Sequence, residues 1–239
     1  MIPIVSLIDI FAALLCGGIF LRILNGYKRS RLISLKYFAL TYFFLGLLYL
    51  LFSVPGVVSE NGYVIAFTAA LAYLMLNIAI AYLLQVPLLV YRRHTLEALS
   101  FYGILTSGII LFFANIYYIQ PAARKESGLI VYYLVQEPVI VRILVGVVPV
   151  LIAVLVVYTF FREGRRIAQA SQQIAATSSN QSLKIVHRSF TIAWGLTVLT
   201  SAGALNFIIY ALIPHGSVFV IGGLMSIAAL IIIFRGIEL

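Results

Sequence analysis

The sequence is poor in the residues that carry most chemistry in soluble proteins. Only 10% of its 239 residues are charged, only seven are acidic, and Cys16 is the only cysteine. A single cysteine excludes an internal disulfide and a cysteine-rich metal site. The sequence also lacks a Gly-x-Ser-x-Gly element, a His-Glu-x-x-His pair and a phosphate-binding loop. The sequence therefore contains no catalytic motif that would indicate an enzyme.

Cofactor ligands are scarce in the same way. The three histidines, His94, His187 and His215, all lie at the ends of apolar stretches, so no pair is positioned for a haem at mid-membrane depth. The last apolar stretch contains no lysine that would form a Schiff base with retinal. We therefore expect neither a cofactor nor a bound metal ion.

Long apolar stretches make up most of what is present. The chain is 63% hydrophobic, more than one soluble core would hide. It contains seven stretches of about the 20 residues that a helix needs to cross a bilayer. The sequence predicts a single all-α domain over residues 1–239, a polytopic bundle of seven transmembrane helices. We place the helices at about 2–24, 35–55, 63–88, 97–120, 138–161, 190–213 and 216–234.

Basic residues fall on alternate connections. Of the 16 Lys and Arg residues, all but Arg124, Lys125 and Arg142 lie in the segments 22–36, 86–97 and 162–189 or in the C-terminal tail. Because cytoplasmic loops carry the basic excess, we expect a multi-pass protein of the cell membrane with its N-terminus outside and its C-terminus in the cytoplasm. The net charge of +9 then faces anionic lipid head groups rather than nucleic acid.

Three connections carry structural information. The segment 121–137 is too short and too polar to span, and its apolar run Leu129 to Val135 predicts that it lies along the outer interface or caps the bundle. The turn near Pro214 is very short, so the last two helices are expected to form an antiparallel hairpin. In the longest connection, Ile167 and Ile174 recur at helical spacing, which predicts that the fifth helix continues beyond the membrane or that a short helix lies on its surface.

Ionisable residues at membrane depth are costly and are the first candidates for a site. Asp9 lies about two turns inside the first helix, and Arg142 lies about one turn inside the fifth, close behind Glu137. Pairing of Asp9 or Glu137 with Arg142 would line an outward-facing polar pocket, and Asn77 in the third helix is a further ligand-binding candidate. Alternatively, Arg142 extends to the outer interface beside Glu137 and Asp9 is hydrated near the membrane surface.

Small residues and prolines indicate how the helices pack. Gly222, Gly223 and Ser226 give the last helix a face that another backbone can approach closely. That neighbour belongs either to the same bundle or to a second subunit, so a protein partner or a homo-oligomer is one interpretation. Pro87 and Pro149 fall inside the third and fifth helices, where each removes a backbone hydrogen bond and favours a kink.

Three functions suit such a chain. Its topology resembles that of receptor-type and kinase-linked seven-helix bundles in general, without a family motif. Its poverty of polar chemistry suits an accessory subunit of a membrane complex. The absence of an acidic residue near the bilayer centre counts against ion-coupled transport. The sequence therefore favours a non-enzymatic receptor or sensor, or an accessory subunit, with a transporter or channel-like permease subunit as the alternative.

Overall fold

Seven long helices form the body of the protein. The computed structural model describes residues 4–91, 94–127, 130–135, 139–173, 180–209 and 215–238. Seven helices within this part are long and apolar enough to cross a membrane, and the protein is about 90% helical. They are α1 (Ile4–Ser30), α2 (Ile33–Val58), α3 (Gly62–Val90), α4 (His94–Tyr117), α5 (Val139–Gln173), α6 (Asn180–Ala204) and α7 (Gly216–Glu238). The prediction of seven apolar helices in a multi-pass membrane protein is confirmed.

Several helices are longer than predicted. Helix α2 continues past Pro55 to Val58, since a proline so near the end costs little of the helix. Helix α5 continues to Gln173, which confirms that the fifth helix extends beyond its apolar part. Helix α6 is followed by a π-helical turn, Leu205–Ile209, in a stretch that we predicted as ordinary α-helix. Arg31, with a φ of 58°, reverses the chain between α1 and α2.

Six of the seven helices close into a ring, and α4 lies outside it. Around the ring, α1 contacts α2, α2 contacts α3, α3 contacts α5, α5 contacts α6, α6 contacts α7, and α7 returns to α1. Helix α4 packs mainly on the outer side of α3. Only 17% of the apolar window of α4 is buried, against 61% for α3. Helix α3 is therefore the most enclosed helix and α4 the most peripheral.

A β-hairpin covers one end of the ring, so the all-α prediction is incomplete. Strands β1 (Ala123–Ser127) and β2 (Ile130–Leu134) pair antiparallel. Tyr132 is buried and contacts the ring of Phe219 in α7, and Tyr133 lies against Gly56 in α2. The expectation that residues 121–137 cap the bundle is thus confirmed over the described part of that segment. Strand β2 consists mainly of β-branched and aromatic residues, Ile-Val-Tyr-Tyr-Leu, which favour strands.

The two ends of the bundle differ in charge. The end covered by β1 and β2 is called the hairpin end below. At the opposite end, called the basic end, α1 finishes with Lys28 and Arg29, and Arg235 lies in the last turn of α7. Helices α1 and α7 both run from the hairpin end to the basic end.

Helices α6 and α7 form the predicted antiparallel hairpin and pack very closely. A Cβ atom at Gly195 in α6 would overlap the side chain of Ile233 in α7, and one at Gly236 would lie 2.9 Å from Ile192 Cγ1. Gly223 faces Ile8 of α1 in the same manner. Glycine is thus required where these backbones approach.

Candidate functional site

A cavity of about 200 Å³ lies inside the ring of helices and is called the ring cavity. All six ring helices and strand β2 contribute to its wall, whereas no described residue of α4 does. Tyr132, Tyr133 and Val135 close it at the hairpin end, and Leu83 and Leu196 lie towards the basic end. The ring cavity therefore lies between the β-hairpin and an apolar layer of the bundle.

The wall is mainly apolar, with a few polar groups at two levels. Near the hairpin end are Asp9 of α1, Tyr49 of α2, Asn206 of the π-helical turn and Ser226 of α7. Deeper in the bundle lies Tyr42, two helical turns before Tyr49 on α2. None of the described lining residues is Lys, Arg or His. The cavity thus suits a largely apolar molecule that carries one or two polar groups.

Ser226, near the hairpin end, makes its hydrogen bond within its own helix. The Ser226 hydroxyl donates to the Gly222 carbonyl at 3.0 Å. Ser226 of α7 and Tyr49 of α2 both line the ring cavity, so these two helices contribute polar side chains to the same part of its wall.

Two other polar atoms are buried without a partner among the described residues. They are the Tyr42 hydroxyl and Asn206 Oδ1, and the Tyr42 side chain is only 1% exposed. An unpaired buried polar group costs about 1–3 kcal/mol. Since both residues line the ring cavity, a hydrogen-bonding molecule inside it would remove this cost.

The π-helical turn lies between two glycines on the neighbouring helices, Gly222 beside Asn206 and Gly146 beside Phe207. At Gly222 of α7 a Cβ atom would overlap Asn206 Oδ1, and at Gly146 of α5 it would lie 2.7 Å from Phe207 Cβ. Phe207 in turn contacts the ring of Tyr73, with 5.9 Å between centroids. Turns of π-helix are rare and frequent at functional sites. The two glycines therefore allow the turn to pack closely on α5 and α7, with Asn206 against Gly222 in the cavity wall.

The structure separates the residues that we predicted for a site. Asp9 lines the ring cavity as expected. Asn77 does not: it is buried between α3 and α4, where its amide donates to the Tyr73 carbonyl at 2.9 Å and its Cβ lies against Gly108. Arg142 lies in α5, one turn before Gly146, and its side chain is not among those described. Glu137 lies outside the described residues, so the predicted pairing with Arg142 stays a prediction.

The small-residue face of α7 is used inside the chain. Gly222 packs on Asn206, Gly223 packs on Ile8, and Ser226 is 2% exposed. The neighbours of these three residues are α6, α1 and α2 of the same bundle. A protein partner therefore stays a prediction, and it would need to bind a different surface.

Sequence reasoning missed Tyr42 and Tyr49 and did not assign Asn206 to the site. The available signal was spacing: Tyr42 and Tyr49 are seven residues apart on one helix, which places both on the same face. Among the described residues, no three His, Cys, Asp or Glu side chains come together as a metal site.

Fold and site together define a multi-pass membrane protein in which six of seven helices enclose a mostly apolar cavity. No protein-family model matches the chain, and no curated protein matches it. The geometry of the cavity is therefore the main indication of its function.

Proposed function

We propose that this protein is a receptor-like or sensor-like bundle of the cell membrane that binds a small, largely apolar molecule in the ring cavity. One observation carries the proposal: the wall of a mainly apolar cavity contains two buried polar atoms, on Tyr42 and Asn206, that have no partner among the described residues. Its volume of about 200 Å³ exceeds the roughly 150 Å³ that accommodates benzene in an engineered protein.

The shape of the site indicates what the ligand looks like. Tyr42 and Tyr49 are about 10 Å apart along α2, and Asp9 lies at the level of Tyr49. An elongated molecule with an apolar body and a polar group at each end would satisfy Tyr42 Oη and Asn206 Oδ1 at once. Within such a ligand, an amine or hydroxyl would suit the end near Asp9, because a carboxylate accepts hydrogen bonds.

The wall of the ring cavity at its basic end favours ligand binding over transport. There the wall includes the aliphatic residues Ile80, Leu83 and Leu196, and Tyr42 packs on the ring of Phe38, which supports a cavity that ends inside the bundle rather than a polar path for an ion. We further propose the orientation that the basic residues predict, with the hairpin end outside the cell. An accessory subunit remains the second role that suits the chain, since α4 leaves a wide apolar surface outside the ring.

The binding proposal is tested by filling the ring cavity. Ala69 in α3 lines it and is 2% exposed, and Ala153 in the neighbouring helix α5 also lines it. The variants Ala69→Leu and Ala153→Leu would each occupy part of the volume. Ala98→Leu on the exposed surface of α4 adds the same atoms outside the cavity and serves as the control.

The full chain is purified in mild detergent, incubated with a lipid and metabolite extract, and examined by native mass spectrometry. We expect the wild type and Ala98→Leu to retain the same small apolar molecule and both cavity variants to lose it. Retention by the two cavity variants, or an empty wild type after incubation, would contradict ligand binding in this cavity.

A further inference from the structure

The β-hairpin is attached at both of its ends to one side of the ring. Just before β1, Ala122 donates its backbone N–H to the Gly62 carbonyl of α3 at 2.9 Å. A Cβ atom at Gly62 would overlap the Ala122 carbonyl oxygen, so this part of the chain lies directly on the start of α3. After β2 the chain enters α5 at Val139, and α5 is the neighbour of α3 in the ring. The attachment is therefore on the α3–α5 side.

The body of the hairpin reaches the opposite side of the ring through β2. Strand β2 contacts α1 and α7. Tyr132 packs on Phe219 of α7, with 6.1 Å between ring centroids, and Tyr133 lies against Gly56 of α2. The charged residues of β1 are exposed. Strand β2 is thus the strand that packs on the bundle, and β1 is the outer strand.

The two sides of this attachment differ in kind. On the α3–α5 side the hairpin is held by the chain itself and by a backbone hydrogen bond. On the α1–α7 side it rests on side chains of β2, including Tyr132. A two-stranded hairpin by itself is at best marginally stable in water, so its position depends on those side chains. Elements that bury few apolar groups open locally at a lower free energy than the core.

Tyr132 and Phe219 also belong to the wall of the ring cavity. Outward movement of β2 would separate the two rings and would open the cavity to the hairpin end. Entry between two ring helices would instead require helices to separate where they pack through glycine, as at Gly195 and Gly223. Movement of the hairpin is therefore the smaller rearrangement.

We propose that the β-hairpin is a lid of the ring cavity and that the contact of Tyr132 with Phe219 holds it closed. The lid turns about its attachment on the α3–α5 side and admits a small molecule from the hairpin end. Its role in ligand entry rests on the proposed binding function, whereas its opening requires no ligand.

Opening of the lid is tested by the reactivity of a cysteine in the ring cavity. Ser226→Cys places a thiol in the cavity wall, where Ser226 is 2% exposed, and Cys16→Ala removes the native thiol. The full chain with both changes, called the parent, is reconstituted in phosphatidylcholine nanodiscs. It is treated with a trimethylammonium methanethiosulfonate reagent, whose permanent charge keeps it out of hydrocarbon. The rate of modification is followed by mass spectrometry.

Variants of the parent remove the contact from either side. Tyr132→Ala and Phe219→Ala each remove one ring, and the double variant removes both. Tyr117→Ala is the control, because Tyr117 lies at the hairpin end of α4 and is 82% exposed. Circular dichroism checks that each variant retains the helix content of the parent.

We expect the parent and Tyr117→Ala to react slowly, and Tyr132→Ala and Phe219→Ala each to react at least about tenfold faster, because each loses a buried ring contact. The double variant should react about as fast as either single variant, since the same contact is lost in all three. Multiplied acceleration in the double variant would contradict the pairing of the two rings.

An unchanged rate in Tyr132→Ala and Phe219→Ala, or a fast reaction of the parent, would overturn the lid. Equal acceleration by Tyr117→Ala would also overturn it, because general loosening of the hairpin end would then explain the result. Failure of the binding function is recognised separately. Acceleration by Tyr132→Ala, combined with an empty wild-type cavity in the native mass spectrometry experiment, would support the lid and contradict ligand binding.

Discussion

Replacing Gly195 by alanine is expected to loosen the α6–α7 hairpin. The added Cβ would overlap Ile233 Cγ1 and would lie 3.1 Å from two backbone atoms of α7, the Ala229 oxygen and the Ile233 nitrogen. A side-chain rotation does not relieve contacts with backbone, so the helices must separate. Overpacking of this kind costs about 1–3 kcal/mol, while alanine favours a helix over glycine by about 0.5–1 kcal/mol. The net loss of unfolding free energy is therefore about 0.5–2 kcal/mol.

Gly203, on the same helix, provides a matched control. A Cβ atom there meets nothing within 4 Å, so Gly203→Ala retains only the gain in helix propensity, about 0.5–1 kcal/mol. The unfolding free energy of both variants is measured by titration with sodium dodecyl sulfate and followed by circular dichroism. The two alanine variants should differ by about 1–3 kcal/mol. Equal stability of the two would refute the close approach of α6 and α7.

Two further predictions concern the ring cavity and the orientation of the bundle. In protein stripped of bound small molecules, Tyr42→Phe should raise the unfolding free energy by about 1–3 kcal/mol, because the buried Tyr42 hydroxyl has no partner among the described residues. A lower unfolding free energy of this variant in detergent titrations would contradict this. If the hairpin end is outside the cell, Glu126→Cys should react with a membrane-impermeant maleimide on intact cells, and Ser30→Cys should react only after permeabilisation. The buried Cys16 should give little background. The reverse labelling pattern would place the hairpin end inside.

The long-range pattern of the fold was readable from the sequence, because it depends on length and composition. Seven apolar stretches, the short link near Pro214 and the half-apolar segment after α4 correspond to the helices, the α6–α7 hairpin and the cap. The close contacts at Gly222 and Gly223 were signalled by residue size alone. The sequence did not indicate which helices these glycines face. Lipid and the surface of a neighbouring helix are equally apolar, so no sequence pattern distinguishes a residue that faces lipid from one that faces a helix.

The site was harder to predict because charge was the wrong signal. Asp9 lines the ring cavity, but Asn77 is used between α3 and α4, and the groups that most need a partner are the neutral Tyr42 and Asn206. A tyrosine reads as an interfacial anchor in most membrane helices. Its role at position 42 becomes visible only when the ring closes around it.

The π-helical turn at Leu205–Ile209 also has a consequence for comparing sequences. Backbone hydrogen bonds in a π-helix reach one residue further than in an α-helix, so the turn contains in effect one inserted residue. Deletion of a single residue there would let the turn close as α-helix and would rotate Asn206 away from Gly222, while α6 before it kept its register. In an alignment of relatives, a one-residue gap at this position would therefore mark the chains that lack the amide in the cavity, even where every apolar stretch is retained.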